Sequence, residues 1–114
     1  MQSLVRALCR EAGIPVVKRG DANFLVRADD AERLLAMVDR RNIAVVGIEG
    51  FHLRGTNVVP DMDLIADFSS LESLPWRERC SGSLEASRVF VKEKATKPET
   101  LLAFEVQAHT ETDD

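Results

Sequence analysis

Cysteine is scarce: Cys9 and Cys80 are the only two in the chain, far apart in sequence. Two such residues make neither a disulfide framework nor a zinc knuckle, and in a reducing compartment both are free thiols. Histidine is as sparse. His52 and His109 have no Cys or His at ligand spacing around them, which excludes a zinc site of the usual kind. Cys9 also lacks a nearby His to activate it and reads as a small packing residue. No apolar run approaches the ~20 residues that span a bilayer. The opening stretch MQSLVRALCREAG carries Arg6, Arg10 and Glu11 where a signal peptide has its apolar region. A cytoplasmic protein with no membrane partner is expected. Gly47, Gly50 and Gly55 are spaced wrongly for a G-x-G-x-x-G dinucleotide fingerprint, and no G-x-S-x-G elbow precedes Ser69-Ser70. No cofactor, metal or catalytic nucleophile is expected from these patterns.

What is present fits one domain. At 114 residues, 45% hydrophobic and 30% charged, the chain is large enough for a real core and too small for two. The domain is expected over residues 1–109, with TETDD at 110–114 as a disordered acidic tail. The net charge of −4 hides an asymmetry: residues 1–42 hold eight basic and six acidic side chains, residues 43–114 seven basic and thirteen acidic. Acidity in the second part argues against nucleic acid, whose phosphates need a Lys/Arg patch, and suits a basic protein partner.

Residues 3–12 read as an amphipathic helix through Leu4, Val5, Leu8 and Ala12, closed by Gly13 with Pro15 beyond. VVKRGDANFLVRA, split by Gly20-Asp21, reads as a strand or a loose hairpin. DDAERLLAMVDRRN has a capping-box-like start, Asp29 and Glu32, and an apolar face of Ala31, Leu34, Leu35 and Val38. IAVVGIEGFHLRGTNVVPDM reads as a hairpin turning at Gly55-Thr56-Asn57. DLIADFSSLESLPW is expected to be mostly irregular. A third helix is expected around SGSLEASRVFVKEKA, capped by Ser81 or Ser83, with Ala86, Val89 and Phe90 inward. LLAFEVQAH alternates Leu102, Phe104 and Val106 against Ala103, Glu105 and Gln107, a strand with one wet face. The order α-β-α-β-β-α-β predicts an α+β two-layer sandwich, three helices on a mixed or antiparallel sheet of about four to five strands.

Between Val45 and Ser70 the acids Glu49, Asp61, Asp63 and Asp67 face only Arg54 and His52 as basic groups. Asp61-Met62-Asp63 on a regular strand would set two carboxylates on one face, about 6–7 Å apart. With Glu105 as a third acid, that layout is similar to minimal nucleotidyltransferases. Those enzymes need a Gly-Ser or Gly-Gly pair after the first strand, and Gly50-Phe51 stands there instead. A metal-dependent enzyme using Asp61 and Asp63 is thus the alternative reading, beside plain solvation of a strand edge.

GIEGF, then VVPDMDLIADFSSL, Trp76, LEASRVF and the closing LLAFEV together resemble small bacterial immunity proteins of polymorphic or contact-dependent toxin systems, over residues 43–106. That resemblance implies a non-enzymatic protein that binds and occludes a cognate toxin domain. The toxin is commonly a basic nuclease. Glu49, Asp61, Asp63 and Asp67 would then stand in for phosphates. Phe51 is a candidate interface residue, and the single Trp76, after Pro75, is either a core anchor or an exposed interface anchor. Self-association into a homodimer is also open.

Overall fold

The computed structural model describes residues 2–19, 23–97 and 99–109. The expected acidic tail and the Gly20-Asp21 break lie outside the described residues. α1 spans Gln2–Ala12 and ends as expected: Gly13 takes φ +70°, and the Ile14 N–H reaches back to the Cys9 carbonyl at 2.8 Å. This bond is the six-to-one closure that a left-handed residue permits. α2, Ala31–Arg40, closes the same way, with Asn42 at φ 57° and the Ile43 N–H on the Val38 carbonyl at 3.1 Å. Ile14 and Ile43 are both buried, so each cap turns the chain directly into the core.

Five strands follow the α+β expectation: β1 Val17–Arg19, β2 Asn23–Arg27, β3 Ala44–Arg54, β4 Asn57–Asp67 and β5 Thr100–Gln107. They form one sheet in the order β1-β2-β5-β3-β4, and every neighbouring pair is antiparallel. The last strand of the chain is therefore the middle strand of the sheet. α3, Trp76–Lys94, packs with α1 and α2 on a single face. The main core joins Val5, Leu8, Leu34, Leu35, Val38 and Leu84 from the helices to Val26, Val45, Ile48, Leu102, Phe104 and Val106 from the sheet. Among the described residues no helix is long and apolar enough to cross a membrane.

Three local expectations fail, each for a physical reason. No capping box forms: Ala28–Asp30 make a 3-10 turn, Asp30 caps α2 without a side-chain bond, and Glu32 instead takes the Arg88 guanidinium of α3 at 2.8–3.0 Å. The stretch expected to be irregular is partly strand, since Ile65, Ala66 and Asp67 pair with Glu49, Ile48 and Gly47 before a 3-10 helix at Ser69–Ser73. α3 begins at Trp76, behind Pro75, well before Ser81 and Ser83. Those serines sit inside the helix, where their hydroxyls donate back to the Glu78 and Cys80 carbonyls at 3.3 and 3.2 Å. The buried face of α3 is accordingly Trp76, Cys80, Ser83, Leu84 and Ser87. Val89, expected inward, is 49% exposed.

Gly50 shows how tightly the β3–β4 hairpin is packed. A Cβ placed there would lie 2.3 Å from Leu64 Cβ, because β4 bulges between Asp61 and Ile65 and turns Leu64 inward. Gly50→Ala is expected to destabilise the fold by about 1–3 kcal/mol through overpacking. That is roughly 4–8 °C of melting temperature per kcal/mol. A thermal melt checks it, and an unchanged midpoint would contradict the packing described.

Candidate functional site

The site is built on an irregularity in β3. Val45 pairs with Val106, but Gly47 pairs with Glu105, so one extra residue is accommodated in β3. The polar groups at the bulge are satisfied from outside β5: the Val45 N–H donates to the buried Ser83 Oγ at 3.0 Å, and the Val46 carbonyl accepts the Phe68 N–H at 2.8 Å. Beyond the bulge Ile48 faces the helices, while Gly47, Glu49 and Phe51 face the opposite, helix-free side.

On that side the register places three carboxylates around a gap. Glu105 and Asp67 flank Gly47 on the two neighbouring strands, and Glu49 lies on the next rung between Ala103 and Ile65. Gly47 has no side chain and Ala103 only a methyl group, which leaves a hollow of about 400 Å³. Its side chains include Glu49, Asp67 and Glu105 and no cationic group. None of the three acids makes an ion pair among the described residues. Asp67 accepts the Ser69 N–H at 2.9 Å, and that bond holds its carboxyl below the usual value. It therefore stays charged while fixing the start of the following 3-10 helix.

The helix-free face also buries apolar side chains. Leu25, Phe51 and Leu101 form a second buried cluster with Val17, Val58 and Ala103, and no helix contributes to it. The Arg19 guanidinium of edge strand β1 lies 5.0 Å from the centre of the Phe51 ring on β3. Two strands, β2 and β5, separate β1 from β3, and strands lie about 4.8 Å apart. The Arg19 side chain therefore reaches across β2 and β5 to cover the ring. The exposed Arg27, opposite Leu101, lies on the same side of the sheet as the acidic hollow.

The expected acids do not share one surface. Asp61 and Asp63 line a different cavity of about 310 Å³ with His52, Lys94, Lys97 and Thr100. There Asp61 Oδ1 accepts the Asp63 N–H at 3.0 Å, and Asp61 Oδ2 lies 3.8 Å from His52 Nδ1. The bulge in β4 explains the division. Asp61 pairs with Gly50 and Ile65 with Glu49, so positions that strict alternation would put on one side face opposite ways. Glu105 is thus grouped with Glu49 and Asp67 and not with Asp61 and Asp63. Among the described residues no three His, Cys, Asp or Glu side chains are placed to hold a metal ion.

Neither aromatic candidate offers its ring to solvent. Phe51 is 3% exposed beneath Arg19. Trp76 is buried against Ala44 and Cys80, donates its indole N–H to the Asn42 carbonyl at 3.2 Å and lies 4.9 Å from the His109 ring. It is a core anchor. Glu105 was legible as the polar member of an alternating strand. Its neighbours were not, because β5 reaches them only through the sheet order. In comparisons with known proteins, no family model, no curated protein and no solved structure matches the chain.

The two thiols are buried packing groups. Burial pushes Cys9 up to about 11, with a smaller push from Asp30. Burial also raises Cys80, against a pull from Arg79. Between the ordinary thiol value of 9.0 and about 11 the folded chain keeps the Cys9 proton that the unfolded chain has lost. Stability therefore falls as pH rises through that window. At about pH 8 both thiols are expected to resist iodoacetamide in the native protein and to react in denaturant, since the thiolate is the nucleophile. Mass spectrometry of labelled protein checks this, and rapid native labelling of Cys9 would contradict it.

Proposed function

We propose that this protein is a non-enzymatic binding module whose helix-free sheet face receives a basic protein partner, and that it serves as an immunity protein occluding a toxin domain. The observation that carries the reading is the hollow at Gly47, where Glu49, Asp67 and Glu105 converge with no cation among them. Three uncompensated carboxylates in one depression repel each other and attract guanidinium or ammonium groups, which a carboxylate receives in short, charge-assisted bonds. The same charges disfavour phosphate, so a nucleic acid is a poor occupant. The resemblance of residues 43–106 to immunity proteins supports a toxin domain as the partner, and a basic nuclease suits the charge. The metal-enzyme alternative draws less support, since Asp61 and Asp63 lie apart from Glu105 and the β3 glycine accommodates Leu64 rather than a ligand.

The test begins with a pull-down from the producing bacterium to obtain the partner. Association kinetics at low and high salt are then compared for wild type, a Glu49→Gln, Asp67→Asn, Glu105→Gln variant and an Asp61→Asn, Asp63→Asn variant. The hollow variant is expected to associate more slowly and with a weaker salt dependence, because exposed charges steer encounter over about 8–10 Å. Where a partner cation is buried on one of these acids, the loss appears in dissociation and is on the order of 2–5 kcal/mol. The Asp61/Asp63 variant is expected to change less. Equal rates and equal salt slopes for the hollow variant and wild type would overturn the proposal.

A further inference from the structure

The outer face of α3 carries an exposed apolar group. Its buried side is Trp76, Cys80, Ser83, Leu84 and Ser87, while Val89, 49% exposed, and Phe90, whose other side packs against the core, line an outward groove of about 500 Å³. Gly82, Ala86, Val89 and Glu93 follow one another at spacings of four, three and four, the seam of a two-helix pairing. A Cβ at Gly82 would meet only Leu71 Cδ1, at 3.6 Å, so internal packing does not demand a glycine there. Glu85, Glu93 and Lys94 rim the groove, and none of them makes an ion pair among the described residues.

We infer that this face binds a second copy of the same chain, the two α3 helices packing antiparallel about a two-fold axis at Val89 and Phe90. The charges decide the occupant and its direction. About that axis Glu85 stands level with the second copy's Lys94, and symmetry repeats the pair. A parallel pairing would set Glu85 against Glu85. Val89 meets the second copy's Phe90 at the centre. Ala86 and Gly82 leave room for close approach at the ends, and Glu93 falls beside the small Ala86 of the second copy, where its carboxylate keeps a route to water. The seam from Gly82 to Lys94 is only about 18 Å long at helical rise. It buries less than the roughly 1,200 Å² of a standard interface, so the dimer forms at micromolar or higher concentration. The surface is separate from the helix-free sheet face, so dimerisation leaves the acidic hollow free.

Sedimentation equilibrium on the intact chain, from about 10 to 500 μM at low salt, tests this. Wild type is expected to pass from monomer to dimer across the range. Val89→Glu is expected to weaken association at least about tenfold while circular dichroism shows an unchanged fold, since the residue is half exposed. Glu85→Lys and Lys94→Glu each set like charges against one another and weaken the dimer, and the double variant E85K/K94E regains it. A wild-type monomer throughout the range would overturn the inference. So would a dimer indifferent to Val89→Glu, or a double variant no better than its parents. A monomer whose Val89→Glu form loses the captured basic partner would assign the groove to that partner and equally overturn self-association.

Discussion

The hydrogen bond from the Val45 N–H to the Ser83 Oγ joins α3 to the sheet at the place where β3 breaks its ladder with β5. Both groups are buried, and Ser83 passes the bond on to the Cys80 carbonyl within its own helix. A buried amide without a partner costs about 1–3 kcal/mol, so a bulge at this depth persists only where something outside the sheet receives it. α3 does so, and the small side chains of its inward face permit the approach. The consequence reaches the far side of the sheet. With the extra residue accommodated at Val45–Gly47, the glycine rather than a valine occupies the rung between Glu105 and Asp67, and the floor of the hollow is open.

Charge and shape on the helix-free face then follow from register. Glu49, Asp67 and Glu105 come from three strands that neighbour one another only because β5, last in sequence, inserts between β2 and β3. Leu25, Phe51 and Leu101 pack with Val17 and Ala103, Arg19 covers Phe51, and the acids adjoin this cluster across Ala103. The outside of α3 carries the exposed Val89 and charges of both signs, Glu85, Glu93 and Lys94. One chain thus offers two faces of different chemistry, an acidic hollow on the sheet and an apolar groove on the helix.

The sequence revealed the elements better than their relations. Gly13 marked the end of α1, and the alternation in LLAFEV gave the inward set Leu102, Phe104 and Val106 and the outward Glu105. Gly55 marked the turn between β3 and β4. The two bulges were hidden, since a bulge is an exception to the period-two rule on which the reading of strand faces rests. For that reason Asp61 and Asp67 were expected together and lie in separate cavities. On α3 the large apolar residues divide: Trp76 and Leu84 are buried, Phe90 is partly so, and Val89 is exposed. Close approach to β3 also places the small Ser83 on the buried face, where it meets the Val45 N–H, and that preference depends on the distance between helix and sheet. Phe51 and Trp76 were legible as aromatic anchors, but their burial depends on the cover that Arg19 gives and on where α3 begins.

Amide hydrogen exchange by NMR, comparing wild type with Ser83→Ala, tests most directly whether α3 holds the bulge that shapes the acidic hollow. The account predicts that exchange at Val45 and Gly47 accelerates by about tenfold or more, the counterpart of losing one buried hydrogen bond. Leu53 and Val58, paired beside the turn at the far end of β3 and β4, should keep their protection. Unchanged protection at Val45, or a uniform loss across the whole sheet, would contradict it.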